Sequence, residues 1–241
     1  MKGQKYKEIF EKTITYLRKK HKVLLLTTSN RWGGEKGDEQ PKSTALAYAI
    51  AEQINDVNTV VIEVPNLKIF PCEGNVSTLR GNTCGLKKAL LSDKEKNPSG
   101  LHRCWASVNN PDDELWKISR KLFASDCVLF FGSIRWGQLN SYYQKLIERL
   151  TWIENRHSAL GEENVIKHID AGIITVGQNW HGLEALETQK QVLRFYGFNL
   201  VEDLSWHWQF TDVVEDESDT SYQDAAQEFK NIFLQVTSDI H

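Results

Sequence analysis

Four short apolar runs punctuate the chain, at residues 23–28 (VLLLTT), 59–64 (TVVIEV), 127–132 (CVLFFG) and 171–177 (AGIITVG). Each is continuous rather than alternating and rich in β-branched or aromatic residues. That pattern predicts strands buried on both faces, as in a parallel sheet, because a half-exposed strand alternates with period two. A fifth, weaker strand is expected at residues 199–204 (NLVEDL), after the break at Gly197. Between the runs the period becomes helical. Residues 43–54 open on Ser43 as an N-cap and continue through strong helix formers. Residues 112–124 open on Asp112, Asp113 and Glu114, which suit the positive end of a helix dipole. Further helices are expected at 140–154, 183–196 and 222–236. Ahead of the first strand, Tyr6, Ile9, Phe10, Thr13, Tyr16 and Leu17 recur at helical spacing with lysines opposite. They predict an amphipathic helix within residues 1–21 that docks on its own domain or on a partner subunit.

Strands alternating with helices imply a doubly wound α/β fold with right-handed crossovers. Residues 65–111 interrupt the alternation with a long polar segment containing glycine and cysteine. A segment of that length without periodicity is usually functional, and roofing a substrate pocket is the role expected of it. The acidic stretch 212–219 reads as a solvated loop. With no internal repeat and no low-complexity linker, residues 1–241 are expected to form a single domain.

Composition narrows the classes. At 40% apolar, 241 residues suffice for a sizeable core, and 29 basic against 32 acidic residues give a net charge of −3. No global positive field therefore argues for nucleic acid. The basic N-terminus lacks the apolar core and cleavage site of a secretion signal, and no apolar run approaches the roughly 20 residues of a membrane span. A cytoplasmic protein is expected. Cys127, inside an apolar run, reads as a small buried hydrophobe.

In an open α/β sheet, ligands bind just beyond the carboxyl ends of the strands. Three loops lie there. The first runs from Thr28 through Ser29, Asn30, Arg31, Trp32, Gly33 and Gly34 to Lys42, Ser43 and Thr44. Hydroxyls, glycines, an arginine and a helix start suit a phosphate, but an ordinary capped turn looks the same. Neither a dinucleotide-type glycine motif nor a P-loop is present. The second loop is Ser133, Ile134, Arg135, Trp136, Gly137 and Gln138, where an aromatic beside backbone donors suits a planar ring, with Arg135 at its edge. Packing of Trp136 against the sheet edge is the plainer alternative. The third is Gly177, Gln178, Asn179, Trp180, His181 and Gly182. His181 has a pKa suited to proton delivery, or simply fixes its own loop.

With these loops in view, the sequence resembles the NADPH-dependent FMN reductase family of the flavodoxin-like superfamily, from about Lys22 to about Phe198. The resemblance is carried by Ser29-x-Arg31 with Ser43, by Asp112 to Leu115 with Ala124 to Val128, by Ser133 to Gly137, by Lys145 to Arg149, and by Thr175 to Gly177 with Gly182. It implies a flavodoxin-like doubly wound five-stranded parallel sheet of order 2-1-3-4-5, with an added N-terminal helix and a long insertion after strand two. It implies that Ser29, Arg31, Ser43 and Thr44 hold the FMN phosphate. Ser133, Ile134, Arg135, Trp136, Gly137 and Gln138 would wrap the isoalloxazine, with Gly177, Gln178 and Asn179 at its other edge. The chemistry then belongs to FMN, with NAD(P)H as co-substrate, and no side chain is named as catalytic. Two departures stand out. Twelve residues, Arg31 to Lys42, precede Ser43, and Glu35, Asp38 and Glu39 bring negative charge close to the phosphate. Where some relatives carry a cysteine cluster, this chain has Cys72, with Cys84 and Cys104 lying 12 and 32 residues later. Cys72, Cys84, Cys104 and His102 are a conceivable metal set, but ordinary thiols are the expectation.

The function expected is therefore an FMN-dependent NAD(P)H oxidoreductase reducing a small acceptor such as a quinone or a flavin. The alternatives are a flavodoxin-type electron carrier and a cofactor-free domain that binds a protein partner. Trp105, Trp116, Trp152, Trp206 and Trp208, set among polar residues, point to a substrate roof or to the contact of a homo-oligomer.

Overall fold

The computed structural model describes residues 2–31, 39–177, 180–213 and 218–234. Helix α1 (Lys2–Leu17) leads into β1 (Lys22–Thr27), α2 (Lys42–Gln53) and β2 (Asn58–Glu63). After the insertion, which holds the short α3 (Trp105–Asn109), come α4 (Leu115–Leu122), β3 (Cys127–Arg135), β4 (Gln138–Leu139) and α5 (Ser141–Ser158). The chain continues with β5 (Asp170–Gly177), α6 (Gly182–Tyr196), β6 (Asn199–Leu200), β7 (Trp206–Gln209) and α7 (Asp219–Phe229). The main path of the sheet is β2-β1-β3-β5-β6, all parallel.

The continuous apolar runs are buried on both faces. On β1, Leu24 and Leu26 join one core while Val23 and Leu25 join the other. Val128 and Phe130 of β3 pack with the first pair, under α4, α5, α6 and the insertion. Leu129 and Phe131 pack with the second, under α1, α2 and α7. Burying each such side chain stabilises the fold by about 1.5–3 kcal/mol. Helix α1 docks on this second face through Tyr6, Phe10, Ile14 and Leu17. Among the described residues, no helix is long and apolar enough to cross a membrane.

Several expectations are corrected. The sheet has seven strands, not five. The weak run 199–204 yields only two strand residues, then a 3-10 turn at Glu202–Leu204, and the edge beside β5 is completed by β7, which pairs Ile174 with Trp206 and Val176 with Trp208. Trp206 and Trp208 are core residues, as is Trp152, rather than a roof or a subunit contact. Ser43 is not the N-cap of α2; Pro41 is, and Ser43 lies inside the first turn.

The insertion contributes Pro71 to a cleft beside the end of β3 rather than a roof over the strand ends. It lies along α5, and a buried polar cluster pins it there. Arg149 donates to Asp113 through both terminal nitrogens, at 2.8 and 3.0 Å, and to Phe70 O at 2.6 Å and Ser107 Oγ at 3.0 Å. Ser107 Oγ in turn donates a hydrogen bond to Asp113 at 2.6 Å. Burial alone would raise the Asp113 pKa, but the Arg149 and Ser107 hydrogen bonds outweigh it and hold the carboxylate below its ordinary range. Asn155 closes the other end, donating to Cys84 O at 2.6 Å.

Candidate functional site

The carboxyl ends of β1, β3 and β5 converge on a cleft of about 560 Å³, within the roughly 300–1,000 Å³ of small-molecule sites. At one end lie Ser29, Arg31, Lys42 and Ser43. Ser43 donates to Ser29 at 2.7 Å, which places both hydroxyls at the start of α2. Thr28, just before them, hydrogen-bonds the Phe131 carbonyl, while Asn140 Nδ2 donates to Thr28 O at 2.6 Å. The end of β1 is thus tied to the end of β3 and to the start of α5.

Two cations flank the serines, and a carboxylate bridges them. Glu39 accepts from Arg31 Nη1 at 2.5 Å through one oxygen and from Lys42 Nζ at 2.9 Å through the other. Partial burial raises the Glu39 pKa, but Lys42 and then Arg31 outweigh it and hold the group ionised below its usual range. Lys42 also lies over the Phe210 ring, 4.5 Å from its centroid.

The other end is formed by Ser133, Ile134 and Arg135 of β3 with Val176 and Gly177 of β5. A Cβ at Gly177 would lie 2.7 Å from Ile134 Cβ, so only glycine lets the two strand ends close up here. Arg135 makes no ion pair with another described residue. The outer wall is α7, which contributes Asp219, Tyr222, Gln223 and Ala226, with Phe210 beside Tyr222 at 5.6 Å. The helix itself is expected from the sequence at residues 222–236, but nothing in its local pattern says that it docks against the first loop.

The structure divides the second loop. Ser133 to Arg135 continue β3, and Trp136–Gly137 form the two-residue turn of a hairpin that pairs Arg135 with Gln138. Both turn residues have positive φ, 50° and 72°, the conformation that suits a tight hairpin and favours glycine at 137. Trp136 is 91% exposed at the tip. With Gln138 it faces a second cleft, of about 820 Å³, on the far side of the hairpin beside Pro71, Tyr142 and Lys145. Arg135 borders both clefts.

Of the expected phosphate residues, Thr44 alone does not reach the cleft; it is fully buried, and its hydroxyl has no partner among the described residues. Gln178 and Asn179 lie outside the described residues. His181 is the left-handed N-cap of α6, with Nδ1 3.8 Å from Glu184, and does not line the cleft. Beneath it His207 hydrogen-bonds Thr175 at 2.8 Å, and burial pushes its pKa down to about 4. Cys84 and Cys104 are buried among the insertion's contacts, Cys127 in the core, and Cys72 is half-buried. No group of metal-ligating side chains is assembled among the described residues.

No protein-family model matches the chain, and no curated protein matches it in sequence. Solved structures do match in shape. RosB, solved with a bound intermediate, 8-demethyl-8-formylriboflavin-5'-phosphate, aligns with TM-score 0.55 and 13% identity over 89% of this chain and 76% of that one. An azoreductase from Bacillus anthracis str. Sterne aligns with TM-score 0.51 and 12% identity over 89% and 97% of the two chains. The azoreductase AzrA gives 0.51 and 11% over 88% and 97%. The fold is flavodoxin-like. The family resemblance read from the sequence therefore has a counterpart in three dimensions, and at these identities it is the fold that is shared.

Proposed function

We propose that the 560 Å³ cleft binds FMN and that the protein is an NAD(P)H-dependent oxidoreductase acting on a small acceptor such as a quinone or a flavin. One observation carries this reading: residues from three separate loops, Ser29 with Ser43, Ser133 with Arg135, and Gly177, border one cavity at the carboxyl ends of parallel strands. The residues fit the group. Ser29, Ser43, Arg31 and Lys42 hold the phosphate, using hydroxyl donors, two charges and the first turn of α2. Thr44 backs that turn from inside the core. Ile134, Gly177 and the backbone of β3 border the ring, and Arg135 sets a positive charge at its edge. Trp136, Gly137 and Gln138, expected around the ring, form instead the hairpin tip, with Trp136 and Gln138 on the second cleft, and Gln178 and Asn179 lie outside the described residues. Bound FMN supplies the hydride and electron transfer. The protein's part is to bind, to orient and to exclude water, and Tyr222 with Phe210 contributes aromatic surface to the cleft's outer wall.

The test is a visible absorption spectrum after the purified protein is incubated with FMN and freed of excess, followed by NADPH oxidation with a quinone. Retained flavin bands and rapid turnover support the enzyme. Retained flavin without turnover assigns an electron carrier instead. Failure to retain FMN overturns the flavin reading and leaves a partner-binding domain.

A further inference from the structure

Glu39 is an anion placed where the phosphate is expected. One carboxylate oxygen meets Arg31 at 2.5 Å and the other meets Lys42 at 2.9 Å, and these are its only hydrogen bonds among the described residues. Its two partners line the same cleft end as Ser29 and Ser43. The charges do not balance for a phosphate ester while Glu39 stays. Arg31 and Lys42 bring two positive charges and Glu39 removes one, whereas a phosphomonoester carries about −1.5 to −2 near neutral pH. Phosphate and carboxylate also compete for the same donors.

Burial says which member of the trio is held: it is Lys42, since Arg31 and Glu39 are both about half exposed. The Lys42 side chain is 10% exposed and held over Phe210, whereas Glu39 is 56% exposed. Exposed ion pairs hold weakly, so the carboxylate is exchangeable while the lysine stays.

Building on the proposed FMN site, we infer that Glu39 is a resident competitor for the phosphate end, displaced by a phosphorylated ligand and left in place by an unphosphorylated one. Glu39 therefore sets how strongly the cleft prefers a flavin phosphate over the bare flavin. A neutral ribityl chain leaves the bridge to Arg31 and Lys42 intact; a phosphate has to break it before taking both cations. The bridge weakens selection for the phosphate and makes release of a phosphorylated ligand easier.

Glu39→Gln keeps the size of the side chain and removes its charge. Titrating native and variant protein with FMN and with riboflavin, read by flavin fluorescence, separates the possibilities. The expected result is FMN binding about tenfold tighter in the variant, about 1.4 kcal/mol, with riboflavin unchanged. An unchanged or weaker FMN affinity overturns the inference, because Glu39 then positions the cations instead of competing for them. An equal gain for both flavins also overturns it, since the effect would be on access. Glu39→Ala repeats the measurement without an amide able to bridge. If neither protein binds either flavin, the FMN reading fails on its own, and inorganic phosphate decides this point in thermal unfolding at low salt. A larger stabilisation of the variant by phosphate supports displacement; equal or absent stabilisation overturns it.

Discussion

Arg149 and Arg31 each face a carboxylate, Asp113 at 2.8 Å and Glu39 at 2.5 Å, yet the two pairs do opposite things. The Arg149–Asp113 side chains have no exposed surface, and the pair is tied further to buried Ser107 and to the half-buried Phe70. The Arg31–Glu39 side chains are 44% and 56% exposed and point into a cleft. A desolvated pair is fixed, because separating it leaves a bare charge in the core; an exposed pair can change partners at little cost. The first arrangement pins the insertion to α5. The second sits at the cleft end proposed to receive a phosphate.

The largest effect expected from that contrast is at Arg149. Arg149→Met is expected to cost about 3–5 kcal/mol, read as a fall in the urea midpoint, because Asp113 is left charged and buried. Adding Asp113→Leu should recover much of the loss. A single variant as stable as the native protein would show that the pair is not desolvated.

Acid provides the next test. Burial holds His102, in the insertion, and His207, beneath α6, near pKa 4, against an ordinary value of 6.5. Between those values the unfolded chain binds more protons than the folded one. Stability from each group is therefore intact above about pH 6.5 and falls as pH drops towards 4, by about 1.4 kcal/mol per pH unit. Asp113, with its lowered pKa, contributes its loss only below that window. Urea unfolding at pH 7, 6 and 5 should show the decline, and His102→Gln should remove about half of it. A flat profile would mean that both rings are hydrated.

Much of the scaffold of this contrast was legible in the sequence, and the reasons are particular. The runs beginning at Val23, Thr59, Cys127 and Ala171 are continuous because both faces of each strand are covered, so they stand out without context. The strand β7 does not, since Trp206 and Trp208 alternate with His207 and Gln209 and read as polar surroundings. Ser29, Arg31 and Ser43 were visible as a loop before a helix, and Glu39 as unexpected charge, but that the Glu39 carboxylate bridges Arg31 and Lys42 depends on side-chain placement. The outer wall from α7 lay out of reach because it is about 190 residues from the first loop, and local pattern carries no information on which distant element docks where. The hairpin at Trp136 was read as a loop because β4 is only two residues long.

A smaller effect is expected at Gly182, where a Cβ would stand 2.6 Å from His207 Nε2. Gly182→Ala should destabilise by about 1–3 kcal/mol by forcing the start of α6 away from β7, seen as a lower thermal midpoint. An unchanged midpoint would place the imidazole elsewhere. Smallest of all in stability is Arg31→Ala, at about 0.5 kcal/mol or less, as an exposed pair implies. Its expected signature is in binding, with FMN affinity about tenfold weaker by fluorescence titration; a large stability loss without a binding effect would put Arg31 alongside Arg149.

Because Ser29 and Ala226 line the same cleft, the cavity is assembled from segments nearly two hundred positions apart. Whatever fills the cleft is thereby a non-covalent clasp between them, tying the first loop to α7.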